Sequence, residues 1–157
     1  MILDLPYILE TRRNHALEHA TLHMLARTHK GRMAGHSNPT GFFLFGDLST
    51  QDIWAAASEA LERLRGGESG LAIHAGCGTN LATTILLSGT LAWSVMRGAK
   101  STLMKVLIAP IAAALALAGV LFSRPLGTLL QERVTTEARM GRMQIVDIIR
   151  SARVCVG

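Results

Sequence analysis

Aromatic residues are scarce: one tyrosine, two tryptophans and four phenylalanines make up 4% of 157 residues. Nucleic-acid surfaces need basic side chains in dense blocks interleaved with aromatic rings. No such block accompanies these seven rings, so the net charge of +5 does not imply a nucleic-acid partner. Cysteine is nearly absent as well. Cys77 and Cys155 can form one disulfide at most, too few for a secreted disulfide scaffold, and a reducing compartment is expected. The N-terminus lacks a basic segment leading into an apolar one, so no cleavable signal peptide is expected. There is no internal repeat and no low-complexity segment.

What the chain does have is apolar side chains, 49% of residues against 17% charged. This balance points to a membrane protein, in a length that suits one hydrophobic core rather than two. The apolar residues concentrate between Leu81 and Phe122. Two uncharged runs, 81–96 and 106–122, reach about the 20 residues of a bilayer span once extended to 80–97 and 103–123. Small residues at Gly89, Ala112, Ala116 and Gly119 would let two helices approach closely. The expected fold is therefore an α+β membrane protein: a two-helix transmembrane hairpin over 81–123, a membrane-associated domain of helices and short strands over 1–80, and a tail, 124–157, that returns to that domain. A buried helical pair in a soluble oligomer is the alternative. The loop residues Arg97, Lys100 and Lys105 favour a cytoplasmic loop, whereas the seven Lys and Arg of the first 80 residues and the missing export signal favour a cytoplasmic N-terminal domain. The second orientation, in the inner membrane, is the expected one.

Side chains able to do chemistry concentrate in 14–23, Asn-His-Ala-Leu-Glu-His-Ala-Thr-Leu-His. A helix is expected over 9–28, with Leu17, Leu22, Met24 and Leu25 as packing residues and Gly31 as a stop. His15 and His19 then share a face with Glu18 about 60° to the side. Two imidazoles and a flanking carboxylate fit the H-x-x-E-H form, in which the histidines hold zinc and the glutamate handles the proton of water. His23 extends the same face, as a donor behind the ligands or as an exposed residue. The competing reading is a solvated helix side. His29 and His36 fall in turn-like surroundings and are expected at the surface.

Two histidines hold zinc weakly, and a catalytic site usually has three protein ligands with one position open. His74 is the first candidate for the third, Cys77 the second, and Glu59 or Glu62 follow. If His74 and Cys77 joined His15 and His19 together, four protein ligands would close the sphere and leave a structural site. The competing reading of 75–80 is a glycine turn, made by Gly76 and Gly78, around a buried thiol.

The remaining segments are expected as follows. Residues 31–47 form a β-hairpin or two short strands around Ser37-Asn38-Pro39-Thr40-Gly41. Ser49 or Thr50 caps a helix that runs to about Arg65 and ends at Gly66-Gly67. Residues 71–74 read as a strand, and Thr79 or Asn80 as the cap of the first apolar helix. Arg124-Pro125 ends the second span, 126–138 is amphipathic or irregular, and 143–150 has strand character.

The chain resembles a bacterial family of small membrane proteins classed as a domain of unknown function. The resemblance rests on N-H-A-L-E-H at 14–19, G-F-F-L-F-G at 41–46, L-A-I-H-A-G-C-G-T-N at 71–80, and R-P-L-G and V-T-T at 124–127 and 134–136. It covers nearly the whole chain and implies architecture, with no activity to carry over. A looser likeness is to membrane-embedded zinc proteases, in which a zinc helix is followed by short strands, although their usual order is H-E-x-x-H. The function expected is a membrane-bound zinc hydrolase, a metallopeptidase with Glu18 as general base, His15 and His19 as ligands, a peptide or protein substrate and the lipid bilayer as partner. A non-catalytic metal- or cofactor-binding membrane protein, and a structural or partner-binding one, are the alternatives. The apolar runs contain no acid or base that would suggest transport.

Overall fold

In the computed structural model, which describes residues 2–150, the chain forms two compact units. One comprises residues 2–74 with 136–150, the other residues 75–135.

The first unit is built around α1 (Pro6–Leu25), which starts with proline at its first position, where a missing N–H costs nothing. From Ala16 to Leu22 every residue of α1 is buried, so this is a central helix rather than a one-sided surface helix. That explains why its polar residues are not solvated: they find partners among the elements packed around it. Leu17, Leu22, Met24 and Leu25 are all buried as the periodicity predicts. The helix ends at Leu25, earlier than Thr28, with Ala26 as its cap.

After α1, β1 (Ala34–Asn38) and β2 (Gly41–Phe45) pair antiparallel about the Pro39-Thr40 turn, with His36 opposite Phe43. Phe42 and Leu44 pack on the core, whereas Phe43 and Phe45 on the other face are exposed. Ser49 accepts the Asp52 amide N–H at 3.0 Å and caps α2 (Thr50–Arg65), which buries Ala56, Ala60, Leu61 and Leu64 against α1. Gly66 caps its end and Gly67, at φ +95°, takes the left-handed backbone that glycine adopts without strain.

Residues 136–150 complete this unit without regular structure. Met140 is buried in the core, and the Glu137 amide donates to the Arg12 carbonyl at 3.1 Å. Arg12, itself buried, donates to the Thr136 carbonyl at 2.9 Å and lies 3.8 Å from the Glu137 carboxylate. Arg139 binds the same carboxylate at 2.9 and 3.0 Å.

The second unit is an antiparallel pair, α3 (Gly78–Met96) and α4 (Thr102–Leu130), the latter continued by a π-helical turn, Gln131–Thr135. Cys77 caps α3 through its sulfur, which accepts the Thr79 amide at 3.4 Å, in place of the expected Thr79 or Asn80. The helices touch at small or polar positions four apart. A Cβ on Gly119 would lie 2.6 Å from the Ser88 Cα, the Thr84 and Ser123 hydroxyls are 2.7 Å apart, and Gln131 donates to the Asn80 side chain at 2.8 Å.

Several expectations are corrected. The fold is not α+β, and no two-helix transmembrane hairpin forms among the described residues. The chain is predominantly helical with one two-stranded sheet, and among the described residues one helix, α4 with its π-helical extension, is long and apolar enough to cross a membrane. The physical reason is the composition of α3, where Thr79, Asn80, Thr83, Thr84, Ser88, Thr90 and Ser94 dilute the apolar run; Thr83, Thr84 and Ser88 turn their hydroxyls back onto helix carbonyls. α4 also does not stop at Arg124-Pro125 but runs through Pro110 and Pro125 to Leu130. Residues 69–72 form a 3₁₀ turn, with Ile73 extended but unpaired, and 143–150 join no sheet. Cys155 lies outside the described residues.

Candidate metal centre

Helical spacing brings His15 and His19 together as expected: their ring centres are 4.3 Å apart, edge to face. His74, arriving just after the 3₁₀ turn, sets its ring 5.7 Å from that of His19 and 5.0 Å from that of His23. Four imidazoles of the first unit therefore form a row in the order His15, His19, His74, His23. Two imidazoles bound at about 2.0–2.1 Å to one tetrahedral ion have ring centres roughly 5 Å apart, so these spacings suit shared ions.

Backbone carbonyls fix two of the rings. His19 Nδ1 lies 2.7 Å from the Ala72 oxygen, and His23 Nε2 lies 2.8 Å from the Ile73 oxygen. A carbonyl only accepts, so each of these nitrogens carries the proton. In the neutral ring the lone pair then sits on Nε2 of His19 and on Nδ1 of His23. This is the arrangement by which a backbone carbonyl sets the tautomer and ring orientation of a metal-ligating histidine. His19 is 1% exposed, so its Nε2 lone pair is kept from bulk water.

Glu18 is buried beside this row but is held by the hairpin. Its Oε2 accepts the Ser37 hydroxyl, and the carboxylate packs directly on Gly35 of β1. Neither partner was legible in the sequence, since both lie on a strand whose register depends on the packed fold. Asn14, next to His15, donates to the Asn38 carbonyl at 2.8 Å and ties the same helix turn to the end of β1.

The two glutamate candidates stand elsewhere. Glu59 is engaged by Arg27 at 2.9 Å and Arg63 at 3.4 Å on the exposed side of α2, and Glu62 is exposed. Cys77 belongs to the second unit as the cap of α3. His36 is exposed on β1, and His29 faces Asp52 at 3.4 Å.

A family model matches residues 10–148, a stretch that contains every histidine of the row and Glu18. The chain belongs to the family described as a domain of unknown function, DUF6391. Part of the chain is also similar to an uncharacterised protein of Picosynechococcus sp. (strain ATCC 27264 / PCC 7002 / PR-6), 42% identical over 95 residues, which is 54% of this chain and 46% of that protein. The match thus spans about half the length of that relative. No solved structure matches.

Proposed function

We propose that this protein is a metal-dependent hydrolase of peptide bonds, with His15, His19 and His74 holding a zinc-class ion and Glu18 as general base. The observation that carries the reading is the His19–Ala72 hydrogen bond, which leaves Nε2 of a buried imidazole as a donor beside two further rings. Imidazole nitrogen suits zinc and its neighbours, and three such ligands leave a position open. When bound, the ion supplies Lewis acidity, polarising a carbonyl and acidifying water. Glu18 takes the proton of the attacking water on its carboxylate and passes it to the departing amine. Ser37 keeps that carboxylate in one orientation.

The fixed hold of Ser37 on Glu18 also favours a second reading, a non-catalytic metal-binding protein in which Glu18 anchors the hairpin. Metal content and cleavage of a general peptide library, measured together, separate the two. For hydrolysis, Glu18→Gln keeps the metal and loses about 10²–10⁴-fold in rate, while His19→Ala loses both. Full cleavage by Glu18→Gln ends the hydrolase reading. A full equivalent of metal held tightly in the His15→Ala/His19→Ala variant ends the metal reading.

The lipid bilayer is the partner proposed for α4, whose Leu103, Val106, Leu107, Ile111, Leu117, Leu121 and Phe122 are exposed. The inner membrane, with the first unit on the cytoplasmic side, is the proposed location. Protein that remains soluble without detergent would overturn it.

A further inference from the structure

The reading above uses one end of the histidine row, yet His74 stands nearer to His23 than to His19, 5.0 against 5.7 Å between ring centres. His23 repeats the feature that distinguishes His19. One nitrogen donates to a backbone carbonyl, here that of Ile73, and the other is left with its lone pair. Because Ala72 and Ile73 are consecutive while His19 and His23 are one helical turn apart, the last residue of the 3₁₀ turn and the extended residue after it fix both rings in succession.

We infer that His23 and His74 form a second position for a divalent ion of the zinc, copper or nickel class, weaker than the one at His15 and His19. Their ring centres, 5.0 Å apart, stand at the roughly 5 Å that two imidazoles on one ion require. Both rings are half-buried, so water completes the coordination, and two protein ligands give an exchangeable site. His74 is common to the two positions. Filling the second draws it from the first, so excess metal opposes the activity that the first equivalent supports. This last consequence rests on the hydrolase reading; the second position itself does not.

Titration of the full-length metal-free protein with Co²⁺, followed by calorimetry and by the visible absorption of the ion, tests the inference. The expected result is two equivalents for the wild type, the second weaker, and one tight equivalent for both His23→Ala and His23→Gln. A wild type that saturates at one equivalent, or a His23 variant that still takes two, overturns it. The His15→Ala/His19→Ala variant keeps the two failures apart: it loses the tight equivalent and retains the weak one. Loss of the weak equivalent there, with native circular dichroism, also counts against an independent second position.

Discussion

Gly35 lies so close over Glu18 that a Cβ at position 35 would overlap the carboxylate. The helix that carries the histidines and the strand that covers it therefore approach one another through the one residue type without a side chain. Gly35→Ala forces either the hairpin or the buried acid to move, and overpacking of this kind costs about 1–3 kcal/mol. Denaturant unfolding should show that loss, whereas Gly31→Ala, with nothing within 4 Å of the added carbon, should be nearly silent. Equal midpoints for the two variants would contradict the close approach.

The acid stability of the first unit should depend on Glu137. Its carboxyl is held down from the ordinary 4.5 to about 2, first by the Arg139 side-chain hydrogen bonds, with the Arg139 amide and the charges of Arg139 and Arg12 adding to them against the effect of burial. A carboxylate depressed on folding stabilises the native state fully above its unfolded value. That contribution is lost as pH falls from about 4.5 through about 2. Thermal midpoints of the wild type should therefore fall across this window more steeply than those of Glu137→Gln. Parallel curves for the two proteins would refute the assignment.

If an ion binds only the folded chain, a chelator lowers the thermal midpoint. At a free metal concentration 100 times the dissociation constant the stabilisation is about 2.7 kcal/mol. With one equivalent of metal supplied, His19→Ala should be insensitive to chelator, and a chelator shift that survives in this variant would place the tight ion elsewhere.

In the second unit, Gly119→Val should separate α3 from α4, because its first added carbon already lies 2.6 Å from the Ser88 backbone. Gly89→Val, where an added carbon meets nothing within 4 Å, is the matched control. Crosslinking between cysteines introduced at Thr84 and Ser123 reads the pairing, and unchanged crosslinking in Gly119→Val would sink the claim.

Much of this fold was legible where the signal is local. The α1 packing residues, the hairpin around Asn38-Pro39 and the Ser49 cap follow from periodicity, turn chemistry and one hydroxyl, all within a few residues of the feature they create. The pairing of His15 with His19 is of the same kind. What was not legible depends on distant partners. Residues 71–74 and 143–150 have strand-like side chains, but a strand exists only if an edge is offered to it, and among the described residues the sheet has just two members. Pro125 reads as a helix end, yet α4 carries on past it because packing along α3 outweighs one lost hydrogen bond. The carbonyls of Ala72 and Ile73 left no mark in the sequence, since every residue has one. They nevertheless decide which nitrogen of His19 and of His23 can act.

The Glu137 amide bonded to the Arg12 carbonyl also constrains topology by parity. Arg12 precedes α3 and α4 and Glu137 follows them, and the two residues belong to one unit. A path that leaves one side of a bilayer and ends on that same side crosses it an even number of times. Were α4 to enter a bilayer, it could not act alone as an anchor that delivers residues 136–150 to the opposite face, because the core around Met140 would have to be taken apart to let them go.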